Sequence, residues 1–293
     1  MLQLNTIFIR QLILVTLLFA ITATNRATGA SITWVGNTTA WLTPGNWSGN
    51  AVPLIGDNVT IPTSPTGGNF PTISTGTNPL HDIIIQAGAT VSQTGGTLQV
   101  NHDWRNSGTY TASAGTIQFI GNAAGATFFD VGTNQFYDVI VDAGVQPQFD
   151  AIVGSSVLIA HDYTNNNTGL DENNKCTFTF NGTGTQNIYS ASTAGKQSFG
   201  NLVINKSAGT ATLTSNIEIT ANLTITTGTF STGSNYSIIV AGNAAFNGGS
   251  FTMNTSTITV TATCICPGSS YCNRTCIHSE ASAIKCYITR NNN

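Results

Sequence analysis

Apolar and polar residues alternate along most of this chain in runs of only a few positions. Leu98 and Val100, for example, are interleaved with Gln99 and Asn101, and the runs end at Gly, Asn or Asp. A period of two belongs to a strand with one face buried. No long window places apolar residues three and four apart, and Thr, Asn and Gly are poor helix formers, so no substantial helix is expected.

The runs themselves recur. "LQVNHDW" from Leu98, "VLIAHDY" from Val157, "IEITANL" from Ile217 and "IIVAGNA" from Ile238 can be superimposed, and their starts are separated by steps of 59, 60 and 21 (157−98, 217−157 and 238−217). "HDIIIQAG" with Asp82, "YDVIVDAG" with Asp138 and "GNLVINKSAG" with Asn201 are separated by 56 and 63. "GTIQFIG" returns as "CTFTFNG", which moves Ile117 to Phe178, a step of 61. A structural turn of roughly 20 residues, with the longer period spanning three turns, makes these steps commensurate, and fixed periods of this size mark solenoids. The expected fold is therefore all-β, a right-handed parallel β-helix (β-solenoid), with Leu98, Val157 and Ile217 in one column. Tandem β-sandwiches are the alternative, since they too show turn signals every ~8–12 residues, but they give no reason for equal long steps. In a coil, inward Val, Ile, Leu and Phe form ladders, and corner Asn and Thr meet their own kind about 4.8 Å above and below.

Two of the four copies carry a His–Asp pair beside an aromatic ring, in "VNHDW" and "IAHDY". The other two carry Ala221 and Gly242 in place of His102 and His161, and Asn222 and Asn243 in place of Asp103 and Asp162. The acid's slot thus accepts a short Asx side chain of the kind that bonds backbone at a turn. Three turns between copies would put Asp103 and Asp162 about 14 Å apart, and Asp138 and Asp142 on one strand about 13 Å apart, beyond the ~5–9.5 Å of glycosidase carboxylate pairs. His81 and Asp82, as strand neighbours, are expected to face opposite sides. No catalytic, metal-binding or cofactor-binding residue is expected.

Composition narrows the setting. Charged residues make up only 7% of the 293 positions, against about 25% in ordinary domains. The net charge of −3 becomes −5 once Arg10 and Arg26 are removed with segment 1–30, so no basic stripe offers itself to nucleic acid. Arg10, the apolar run from Leu12 to Ala23 and the small residues ending in "ATGA" have the layout of a secretory signal, with cleavage expected near Ala30 or, failing that, near Ala23. A retained membrane anchor is the alternative. With the signal gone no membrane span is expected, and the mature chain should be secreted or held at the cell surface. The expected divisions are a signal peptide at 1–30, a Trp-rich capping segment at 31–75, a β-solenoid at 76–263 and a Cys-rich tail at 264–293.

The capping segment holds three of the four tryptophans, Trp34, Trp41 and Trp47. Their rings are candidate carbohydrate contacts, because ring faces suit pyranose faces. The alternative is that they plug the open end of the coil, which a solenoid requires. The order Trp34, Trp41, "NW" at 46–47, "VP" at 52–53 and "GDNVTIP" at 56–62, followed by "GATVSQTGGTLQVNHDW" and "FGNLVINKSAG", resembles the repetitive secreted surface proteins common in Bacteroidetes. The resemblance covers about 31–263 and implies a β-helical, adhesin-like region of an exported protein. It transfers no catalytic residue, and the C-terminal sorting domain of that pattern is not recognisable here.

Five of the six cysteines lie between 264 and 286, and Cys176 stands alone in the repeat. For an exported chain disulfides are the first reading. A zinc knuckle through Cys264, Cys266, Cys272, Cys276 or His278 fits no standard ligand spacing. Strand alternation stops abruptly after Thr263, which also suggests that segment 264–293 is not the native continuation of the repeat.

Three functions compete. The first is a structural or adhesive surface protein that contacts extracellular glycans or neighbouring surface proteins through a weakly charged face, without catalysis. The second is a polysaccharide lyase or hydrolase, by analogy with other β-helix proteins. It needs clustered acids, or a calcium site beside an Arg or Lys base, whereas the cations between 31 and 263 are the scattered Arg105, Lys175, Lys196 and Lys206, and Asp171 and Glu172 sit in a polar stretch. The third is an ice- or surface-binding protein that uses Thr257, Thr259, Thr261 and Thr263, with Thr224 and Thr226, as a flat array.

Overall fold

The computed structural model describes residues 29–121, 132–145, 156–168, 176–191, 199–253 and 255–265, together with the strands Arg274–Ser279 and Ala283–Ile288 as backbone. Residues 1–28, where most of the expected secretory signal falls, and Asp171, Glu172, Lys175, Lys196, Cys266 and Cys272 lie outside them. The chain is all-β, 54% strand and 3% helix, and winds as a β-solenoid of about 8 turns about 21 residues apart. Apart from the terminal hairpin and an isolated bridge between Trp34 and Trp47, the described pairings are parallel. The antiparallel pairing that sandwiches require is thus absent from the body of the described chain.

Each full coil has three sides. Side one stacks Ser156–Ile159, Thr177–Phe180 and the beginnings of Asn201–Leu213 and Leu223–Ser231. Side two stacks Asp138–Val141, Tyr163–Asn165 and Gln186–Ser190. Side three stacks Ser31–Thr33, Asn58–Ile61, Asp82–Ile85 and Trp104–Asn106 near the N-terminus, and Ile217–Ile219, Ile238–Val240 and Ile258–Val260 near the other end.

The alternating positions become ladders because a parallel in-register partner puts each inward side chain over its counterpart. On side one the column runs Val157, Phe178, Leu202, Leu223, Ala244. On side two it runs Leu98, Ile117, Val139, Tyr163, Ile188, Leu213. Every member is buried, and burying each large one contributes roughly 1.5–3 kcal/mol.

The columns correct one expectation. Three turns from Leu98 lead to Tyr163 and not to Val157, and three turns from Val157 lead to Leu223 and not to Ile217. The shortfall is six positions each time (163−157 and 223−217), about one side of the coil. The long repeat is three turns less one side, so successive copies fall on side two, then side one, then side three. The single step of 21 is a whole turn, since Ile217 pairs with Ile238.

Within residues 31–75, Ser31–Thr33 and Asn58–Ile61 belong to side three. The tryptophans close the interior beside them. Trp47 meets Trp34 and Trp41 edge-on, with centroids 4.7 Å away in both cases, and Trp34 and Trp41 are stacked 6.3 Å apart. Trp34 Nε1 donates to Asn69 O at 2.6 Å and Trp47 Nε1 to Trp41 O at 2.7 Å. Gly36, at φ +78°, lets the chain pass under Trp34; a Cβ there would lie 2.2 Å from Asn69 O. At the other end the parallel stack reaches Cys264–Ile265, after which Arg274–Ser279 and Ala283–Ile288 pair antiparallel. The change of pairing falls where the sequence alternation stops.

Among the residues whose side chains are described, one cation is inside the coil. Lys206 is 1% exposed, and its Nζ donates to Gly182 O and Gln186 Oε1. Burial pulls its pKa down to about 8 from an ordinary 10.5.

Replacing Trp47 by Ala empties the centre of the aromatic cluster, and equilibrium urea unfolding should register a loss of about 3–5 kcal/mol. For Lys206, the folded chain releases its proton at lower pH than the unfolded chain, so stability rises with pH above about 8. Burial pushes the Tyr110 hydroxyl far up, which opposes this trend only where tyrosine ordinarily ionises, near pH 10. Urea midpoints between about pH 8 and 9.5 should therefore climb in the wild type and stay flat in Lys206→Met.

Candidate functional site

The corners of the coil collect the residues with chemistry. Each corner joins two strands at an Asx residue whose backbone N–H is turned away from the regular strand ladder. Asp82 Oδ1 accepts the N–H of Asp103 at 2.9 Å. Asp138 Oδ1 accepts that of Asp162 at 3.0 Å, and Asp162 Oδ1 that of Asn187 at 2.7 Å. Asn201, Asn222 and Asn243 continue the scheme to Asn222, Asn243 and Thr263 at 3.3, 2.9 and 3.1 Å. The first ladder stands at the corner from side two to side three, the second at one to two, the third at three to one. This is the one-side offset of the long repeat seen from the corner. It also explains why the slot accepts Asp or Asn: both present an acceptor oxygen one rung below a donor.

The residue before each Asx points outward and stacks. His102 N donates to His81 O at 2.9 Å, and the two imidazoles lie 4.9 Å apart at 18°. At the second corner Tyr137 takes the lower place, 4.8 Å from His161 at 9°. At the third, Gly200, Ala221 and Gly242 leave no ring. The aromatic residue after the Asx points inward instead: Trp104 and Tyr163 are buried, and Trp104 packs on Tyr110 and Phe136.

His81 and Asp82 do not face opposite sides, which corrects the sequence expectation. His81 stands at the bend before the strand Asp82–Ile85, and its Nδ1 lies 3.1 Å from Asp82 Oδ1. His102 Nδ1 lies 2.9 Å from the same oxygen. Sequence reading missed this group because the two histidines are a whole coil apart along the chain; the turn length itself was the signal that pairs them. Burial raises the Asp82 pKa, but the Asp103 N–H and the flanking His102 and His81 outweigh it and hold the carboxyl below its ordinary range. Asp103 is 5% exposed, its Oδ2 accepting from Arg105 at 2.9 Å. Asp142, placed on one strand with Asp138 by the sequence, lies just past the end of Asp138–Val141, where its Oδ1 accepts Gln118 Nε2 at 2.9 Å.

The three tryptophans offer no ring face to a sugar: Trp34, Trp41 and Trp47 are 1%, 2% and 2% exposed. Their rings pack against one another in the interior instead. The threonines likewise form no flat array. Ile258–Val260 is only three residues long, so Thr257, Thr261 and Thr263 lie outside that strand, and Thr259 has Ile239 as its axial neighbour. Thr224 stands between Val203 and Ala245.

A groove of about 420 Å³ opens on side one. Two rows line it, Asn201, Asn222 and Asn243 along the corner and Val203, Thr224 and Ala245 beside them. No charged side chain is among its lining residues.

If the Asx acceptor is what this corner requires, Asp162→Asn should leave unfolding stability unchanged within about 0.5 kcal/mol, whereas Asp162→Ala should cost about 1–2 kcal/mol by urea titration. Equal losses in both would mean that the negative charge, and not the acceptor, matters there. No protein-family model, curated protein or solved structure matches this chain.

Proposed function

We propose that this chain is an exported structural or adhesive protein of the cell surface, whose solenoid presents a weakly charged, repetitive face to extracellular glycans or neighbouring surface proteins, without catalysis. The observation that carries the reading is the side-one groove. Its planar Asn amides and small apolar side chains repeat at the rung spacing of about 4.8 Å, and uncharged sugars are recognised by amide hydrogen bonds over modest apolar surface. The likeness of the Trp-rich start and the repeat units to secreted Bacteroidetes surface proteins supports the compartment, as does the secretory layout of segment 1–30.

Among the described residues between 31 and 263, the two cations a carbohydrate-cleaving site would draw on are engaged elsewhere. Arg105 binds Asp103, and Lys206 is buried. Neither lines the groove.

The purified chain should bind a subset of neutral glycans on an array, and Val203→Asp, which puts a charge into the groove, should reduce that binding by roughly tenfold, about 1.4 kcal/mol. Incubation with the bound polysaccharide should release no oligosaccharide. Binding indifferent to Val203→Asp would remove the groove from the account, and release of shortened chains would replace adhesion by catalysis.

A further inference from the structure

We propose that His81, Asp82, His102 and Asp103 form a binding site for a transition-metal dication, with Zn²⁺ the ion that their donors suit. Donor atoms from His81, Asp82 and His102, one each, lie within 4.8 Å of one another. The edges through Asp82 Oδ1 are 3.1 and 2.9 Å, and Asp103 Oδ1 is 3.3 Å from His102 Nδ1. Tetrahedral zinc with bonds of about 2.0–2.2 Å spaces its ligand atoms about 3.3–3.5 Å apart. Those three edges reach that size with shifts of a few tenths of an ångström.

A second observation points the same way. Asp103 Oδ1 is buried, accepts no hydrogen bond and is aimed at this group. Its partner oxygen Oδ2 is fixed by Arg105, so Oδ1 is held toward His102. A cation between the carboxylates and the imidazoles would satisfy it. The imidazoles are each 36% exposed and the carboxylates 19% and 7%, so an ion can enter from solvent on the nitrogen side and be gripped by oxygen beneath. Two imidazoles with two carboxylates suit zinc better than calcium or magnesium, which prefer six or more oxygens.

The fold supplies its own comparison. The second corner also gathers Asp138, His161 and Asp162, but Tyr137 replaces the second imidazole, and Asp162 already accepts the N–H and the amide of Asn187. The site is thus specific to the first corner, where a bound ion ties two successive coils together.

The test is calorimetric titration of ZnCl₂ into the full chain, without an affinity tag and with its thiols alkylated so that the Cys-rich tail does not compete. One ion per chain should bind. His81→Ala and His102→Ala should each weaken it by more than the ~10–100-fold that loss of an outer partner costs, and His161→Ala should leave it unchanged. Should a variant fail to fold, diethylpyrocarbonate footprinting of the wild type decides: Zn²⁺ should protect His81 and His102 while His161 stays reactive. Absence of zinc uptake, uptake that survives loss of both histidines, or modification indifferent to zinc would each overturn the proposal.

Discussion

The constraint on which this molecule depends is lateral: each coil is held by parallel, in-register pairing with the coil below, and a residue's role is set by the one a full turn earlier in the chain. An isolated coil of three short strands has little to bury. Stacked, the same strands place Val157 over Phe178 and Leu202, and Ile217 over Ile238 and Ile258. The hydrophobic effect and the backbone ladder then reinforce each other at every rung. At the first described coil the Trp34–Trp41–Trp47 cluster fills the interior with three buried rings.

Corners are the weak points of such a coil, because the strand ladder is interrupted where the chain bends. An Asx side chain repairs the break by reaching one rung along the axis to a backbone N–H, as from Asp82 to Asp103 and from Asn222 to Asn243. Three such ladders occupy the three corners in turn, so the reinforcement spirals around the molecule. The His–Asp pairs belong to this scheme first. Their outward rings stack because parallel register sets them one rung apart, with centroids 4.9 and 4.8 Å apart, within the range of offset ring pairs, and only at the first corner are both rings imidazoles.

Fold class and turn length were legible in the sequence, because a period of two inside a period near 20 has few physical solutions. The inward and outward positions followed from the same alternation, whereas the burial of the three tryptophan rings could not be told from the sequence. The column assignment was not legible: similar strand–corner units recur on different sides, and a repeat of local shape carries no label for the side it occupies. For the same reason the His81–Asp82–His102 group was missed. Strand alternation was applied to His81 although the residue sits on the bend, where the alternation rule lapses. The side-one groove could not be read at all, since Val203, Thr224 and Ala245 share no residue type and are joined only by register.

The stacking claim is tested most directly by a distance between two outward positions far apart in sequence. Leu158, Thr179, Val203, Thr224 and Ala245 follow one another across side one, so Leu158 and Ala245 are separated by four rungs, about 19 Å at about 4.8 Å per rung. Nitroxide labels at these two positions, measured by double electron–electron resonance, should give a single narrow distance near that value, broadened only by the label tethers. A broad distribution, or a mean beyond about twice the four-rung separation, would contradict the superimposed coils.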